Sequence, residues 1–162
     1  MSTATTTSTL PAPPGNFAAH VIALNSGRAD KLAYIDDEAR LTYGALADSI
    51  QRMAAALLAL GLRREERVLL LAHDCNDWPV AFLGALYAGI VPVAVNTLLT
   101  AEDYAYMLQH SRAQAVVVSA ALLPVLVSAR EIAAEEGGDE IRAVIVSGAP
   151  GELPAGCLAL PA

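Results

Sequence analysis

The sequence predicts an α/β protein: an open, mostly parallel, doubly wound sheet with flanking helices, preceded by a small β-hairpin. Three observations carry that prediction. Four short runs, residues 68–72, 91–95, 115–118 and 143–146, are continuously apolar rather than alternating, as strands covered on both faces must be. Segments with helical character separate them, which favours right-handed crossovers between parallel strands. Upstream, two β-prone runs, residues 32–35 and 40–43, flank the turn-forming string Asp36-Asp37-Glu38.

The helix after the hairpin is the clearest element. Leu46, Ile50, Met53, Leu57 and Leu60 step by four, three, four and three and so share one face. Thr42 is its expected N-cap, and Gly61 stands where a helix closes in the left-handed conformation. The run 68–72 is the first buried strand. Asn76 or Asp77 is expected to cap the next helix, residues 78–88, with Pro79 tolerated in the first turn and Gly89 as the stop. The run 91–95 is then the second buried strand, with Pro92 near its start. Thr100-Ala101-Glu102-Asp103 reads as a capping box, and Tyr104, Met107 and Leu108 as the inward stripe of a short helix. A third strand at 115–118 leads to a helix over 120–134 that must accommodate Pro124, and a fourth strand follows at 143–146. Beyond Gly148 the Pro/Gly-rich string APGELPAGCLALPA shows no periodicity and reads as a linker or a truncated end. The expected organisation is a disordered leader over 1–14, an α/β unit over 15–148, and that tail over 149–162.

Composition narrows the function. The chain is 55% hydrophobic, and residues 78–101 carry no charge, which at ~1.5 Å per residue would span a bilayer. Gly84, Gly89, Pro92, Asn96 and Thr97 interrupt that run, so a helix, turn and strand buried in a core explain it better than a membrane span. The first residues, rich in Ser, Thr and Pro, lack the basic start and apolar stretch of a secretory signal. Cys75 and Cys157 make no disulfide framework and no zinc spacing, so a cytoplasmic location is expected. A net charge of −7 without a basic cluster disfavours nucleic acid.

Ligands of such sheets sit beyond the carboxyl ends of the strands, which singles out residues 73–76, 96–100 and 147–151. His73-Asp74-Cys75 offers a base beside a nucleophile, but a strand-to-helix loop explains the same string. Asn96-Thr97 could contact a ligand or satisfy backbone groups at a turn. The glycines at 137–138 and 148–151 fit neither a dinucleotide fingerprint nor a phosphate loop.

Several strings resemble, in order, the amino-terminal part of the acyl-adenylate-forming (AMP-binding) ligases: RLTYGALADSIQRMAAALLALGL, then ERVLLLAHDCNDWPVAFLGALYAGIVPVAVNTLLTAEDYAYMLQHSRAQAVVVS. PPGNFAAHVI and VAFLGALYAGIVPVAVNTLLTAEDYAYML are most similar to benzoate- and other aryl-CoA ligases. The resemblance covers residues 13–148 and implies the N-terminal subdomain of the adenylate-forming ligase fold. It implies an ATP-, Mg²⁺- and coenzyme A-dependent parent enzyme. In that enzyme an aromatic carboxylate attacks the α-phosphate of ATP to give an acyl-adenylate and pyrophosphate, and the CoA thiol then displaces AMP. The family's Ser/Thr/Gly-rich loop ending in Lys-Gly and its C-terminal lysine match no position here, and Lys31 is the only lysine. No catalytic, cofactor-binding or metal-binding residue of the family can be carried onto this sequence. The expectation is therefore a fragment, inactive alone, that binds none of these cofactors productively and packs against the missing C-terminal portion of the ligase. Two other readings stand beside it: a self-sufficient α/β module that binds a small ligand without catalysis, and a frameshifted product with a foreign tail after Gly148.

Overall fold

The computed structural model describes residues 15–148 and 152–161. The chain opens with α1 (Phe17–Asn25), then a one-turn 3-10 segment, β1 (Leu32–Ile35), β2 (Arg40–Thr42) and α2 (Tyr43–Ala59). It continues with β3 (Arg67–Leu71), α3 (Asp77–Ala88), β4 (Val91–Ala94), α4 (Ala101–Ser111), β5 (Ala113–Ser119), α5 (Leu123–Glu135), β6 (Ala143–Ser147) and β7 (Cys157–Ala159). Strands β1 and β2 form the antiparallel hairpin, and the other five form one parallel sheet in the order β4-β3-β5-β6-β7.

Helices cover both faces of that sheet. Val68, Leu70, Ala115, Val117, Ala143 and Ile145 point to the side of α2 and α3, with α1 against α3. Their sequence neighbours Leu69, Leu71, Val116, Val118, Val144 and Val146 point to α4 and α5. Two buried faces at a period of two residues account for the unbroken apolar runs. The stripe on α2 is buried at Leu46, Ile50, Met53 and Leu57, Thr42 Oγ1 accepts the Ala45 N–H at 3.2 Å, and Gly61 has φ +83°. At Gly84 the α2 and α3 backbones approach so closely that a Cβ there would lie 2.6 Å from Met53 Cβ and Cγ. The Thr100–Asp103 capping box forms in both directions, at 3.3 and 3.1 Å.

Five features depart from the sequence expectations. Helix α1 was not anticipated, because FAAHVIALN is apolar all round and carries no stripe; Asn16 caps it, and Asn16 Nδ2 donates to Leu86 O at 2.6 Å. Asn76 takes the N-cap position of α3 but makes no side-chain capping bond: its backbone is already helical at φ −60°, ψ −26°, and its side chain is drawn to the hairpin. β4 is an edge strand with Val91 exposed rather than a buried one, since strand order is not encoded in the local string; the edge also admits Pro92. The helix expected from residue 120 begins with a 3-10 turn, Ala120–Leu122, and Pro124 falls in the first turn of α5, where its missing N–H is harmless. Finally, β7 lies within the expected tail: Cys157, Leu158 and Ala159 pair with Val144, Ile145 and Val146. A three-residue strand held by its neighbour leaves no periodic trace. The leader, residues 1–14, and residues 149–151 and 162 lie outside the described residues. Among the described residues no helix is long and apolar enough to cross a membrane.

Candidate functional site

Strand β3 leads into α3 on one face of the sheet, whereas its neighbour β5 leads into α5 on the other. Diverging connections leave a crevice at the carboxyl ends of adjacent strands. Here the crevice is a cavity of about 400 Å³ lined by residues 73–77, 119–121, 147–148 and the hairpin turn 36–39. The structure thus brings together two of the three expected strand-end loops. The third, residues 96–100, lies off to the side and lines a separate hollow with Ala72–Asp74 and Trp78. There Asn96 behaves as turn chemistry: its Oδ1 accepts Leu98 N–H at 2.9 Å and its carbonyl accepts the Tyr104 hydroxyl at 2.7 Å.

Inside the crevice, strand-final serines organise the loops. Ser119 Oγ, at the end of β5, accepts the His73 N–H at 2.9 Å and so fixes the exit of β3. Ser147, at the end of β6 and 3% exposed, donates to Asp77 Oδ2 at 2.7 Å. The Cys75 sulfur lies 3.8 Å from Ser147 Oγ. A nucleophile needs a base within hydrogen-bond reach. The neighbour of Cys75 is a hydroxyl rather than the His73 ring, and His73 is exposed.

The hairpin turn supplies the remaining wall. Asp36 Oδ1 accepts the N–H groups of Glu38 (3.0 Å) and Ala39 (2.7 Å), and Oδ2 accepts that of Asn76 (2.8 Å) across the crevice mouth. Asn76 Nδ2 answers by donating to Ala39 O at 3.1 Å. The N–H of Asn76, followed by that of Ala39, holds the Asp36 carboxyl below its ordinary value. Sequence reading included Ser147 among the strand-end positions and placed Asp36 in the hairpin turn without a site role; it missed Ser119. The available signals were an acidic residue closing a β-run and serines ending two buried strands.

ATP, Mg²⁺ and coenzyme A are the groups the family resemblance implies. The crevice does not fit a polyphosphate. Asp36, Asp37, Glu38, Asp74 and Asp77 line it, no lysine or arginine does, and Asp36 already takes the N–H groups at its mouth. Among the described residues no group of three or more His, Cys, Asp or Glu side chains is placed to hold a metal ion.

The family model for AMP-binding enzymes matches residues 23–159, most of the described fold. The chain belongs to the AMP-binding enzyme family. Within that family it is 45% identical over 100 residues to a 4-hydroxybenzoate–CoA/benzoate–CoA ligase of Rhodopseudomonas palustris, covering 62% of this chain and 19% of that protein. It is 47% identical over 112 residues to a benzoate–CoA ligase of Thauera aromatica, covering 67% and 21% respectively. Among solved AMP-binding structures, a benzoate CoA ligase from Burkholderia xenovorans superposes with a TM-score of 0.78 at 48% identity, over 88% of this chain and 27% of that one. An anthranilate CoA ligase in complex with anthranoyl-AMP gives a TM-score of 0.74 at 28% identity, over 81% and 25%. This chain spans about a fifth of the length of the curated relatives it matches.

Proposed function

We propose that this chain is the N-terminal α/β subdomain of an AMP-forming aryl-CoA ligase of the benzoate–CoA type, and that its part is structural. The observation that carries this reading is the identity level: 45 to 48% to benzoate–CoA ligases, against 34% to a 3-hydroxybenzoate–CoA ligase and 30% to a 4-hydroxybutyrate–CoA ligase. The activity served is ATP-dependent activation of an aromatic carboxylate and its transfer to coenzyme A. The residues of this chain supply a rigid parallel sheet against which the acid- and nucleotide-binding remainder of the ligase packs.

Residue chemistry supports inactivity of the chain by itself. A developing phosphoryl anion needs fixed donors or cations, whereas the strand-end crevice is acidic. Lys31 precedes β1, and the fold uses its backbone, whose N–H donates to Arg28 O and whose carbonyl accepts Tyr43 N–H. Two experiments test the reading. Incubating the chain with benzoate, ATP, Mg²⁺ and CoA is expected to release no AMP, and clear turnover would overturn the proposal. Exchanging the matching 112-residue segment of the Thauera aromatica benzoate–CoA ligase for this chain's segment is expected to keep benzoate-dependent AMP formation. A folded chimera without activity would refute the structural role.

A further inference from the structure

The hairpin is attached at two ends of very different character. At its base, Tyr43 N–H donates to Lys31 O and Gly44 N–H to Ala29 O, both at 2.9 Å, and Tyr43 packs against the core. Along its length its apolar anchorage is confined to the half-buried Ala33 and Leu41, because Leu32, Tyr34 and Ile35 of β1 are exposed. An isolated two-stranded hairpin is marginal in water, and segments with few buried contacts open at low free-energy cost. At its tip, two hydrogen bonds cross to the N-terminus of α3: Asn76 N–H to Asp36 Oδ2 at 2.8 Å, and Asn76 Nδ2–H to Ala39 O at 3.1 Å. The carboxylate also meets the positive end of α3, a position that Asn76's own side chain leaves untaken.

The tip separates two cavities. On one side is the strand-end crevice of about 400 Å³. On the other is a hollow of about 350 Å³ bounded by Tyr34, Ile35, Trp78 and Pro79. Both include Asp36, Asp37 and the loop 74–76 in their walls.

We propose that the hairpin is a strap hinged at residues 29–31 and 43–44 that closes the crevice at the carboxyl ends of β3, β5 and β6, and that the Asp36–Asn76 pair is its latch. With the latch made, the two hollows are separate. With it released, they merge into one cleft, and Cys75, which lines both hollows and is half-buried while the latch is made, becomes more exposed. The inference stands apart from the enzyme assignment, since it concerns only bonds within this chain.

Cys75 reports on the opening. In the full chain carrying Cys157→Ser, Cys75 is the only thiol, and its alkylation by N-ethylmaleimide at neutral pH measures access. Asp36→Ala is expected to raise hairpin opening about tenfold, as loss of a charge-assisted hydrogen bond implies, and to accelerate labelling above the rate of the half-buried thiol in the parent. Amide exchange at residues 32–42 should rise with it, while exchange in β3, β5 and β6 is unchanged. Asp37→Ala removes the same charge from the same turn without breaking a latch bond, and is expected to label at the parental rate. Asn76→Ala keeps the backbone arm and loses the amide arm, so it should fall between. Equal rates in Asp36→Ala and Asp37→Ala would overturn the latch, because the effect would then be one of charge. Collapse of the whole fold in Asp36→Ala would overturn it equally, because a strap holds the hairpin and not the core.

Discussion

Gly84→Ala is the most direct test of the helix packing. In an ordinary helix interior that change gains about 1 kcal/mol, since alanine is the better helix former. At Gly84 the sign should reverse. The new methyl would stand 2.6 Å from both Met53 Cβ and Cγ and 3.3 Å from Ile50 O. Carbon atoms prefer about 3.5–4.0 Å. Met53 is fully buried, and its Cβ is fixed to the α2 backbone, so relief requires α2 and α3 to move apart. Overpacking of this kind costs about 1–3 kcal/mol, and two contacts this short place it at the upper end. The net expectation is a loss of about 1–2 kcal/mol, read as a drop in melting temperature of about 2–8 °C for a chain of this size. The assay is thermal and urea unfolding followed by circular dichroism. Gly27→Ala is the comparison, because a Cβ at Gly27 meets nothing within 4 Å, and it should be neutral or slightly stabilising. If Gly84→Ala were as stable as the parent or more so, the close crossing of α2 and α3 would be refuted.

Two further outcomes follow from single side chains. Tyr104→Phe would strand Asn96 O and Leu99 N–H, which the buried hydroxyl now joins at 2.7 and 3.2 Å. It should cost about 1–3 kcal/mol in urea unfolding and raise amide exchange over residues 96–99. Glu66 is held below its ordinary carboxyl value of 4.5, first by the Arg63 N–H and then by the Arg142 guanidinium at 2.6 Å. A carboxylate with a depressed folded pKa contributes stability that is present above its unfolded value and lost as pH falls through the folded one. Wild type should therefore lose more stability than Glu66→Gln as pH falls below about 4.5, and parallel pH profiles of the two proteins would contradict that role.

Much of the fold was legible because burial on two faces leaves a direct imprint. The Leu46-to-Leu57 stripe and the valine runs of β5 and β6 show as local residue patterns, and the Thr100–Asp103 box closes within three residues. What escaped depends on distant partners. β7 exists because Val144 to Val146 offer it a ladder, and β4 is an edge because β5 rather than β4 lies between β3 and β6. The candidate site was legible only as a set of strand ends. Its hairpin wall rests on Asp36 meeting Asn76 forty residues away, a pairing no local pattern encodes.

The parallel sheet has a consequence for how the chain acquires its structure in the cell. The hairpin closes from adjacent residues, on a timescale of about 1–10 μs. Strand β3 is different: it is central, yet its partners arrive only with residues 91–94 and 113–118. At ~5–20 residues per second of synthesis, β3 waits on the order of seconds for its partner strands: α2 is already made for the Val68 and Leu70 face, whereas the helices that cover Leu69 and Leu71 come later. The Leu69 and Leu71 face therefore has neither its β5 neighbour nor a covering helix from this chain until α4 and β5 emerge.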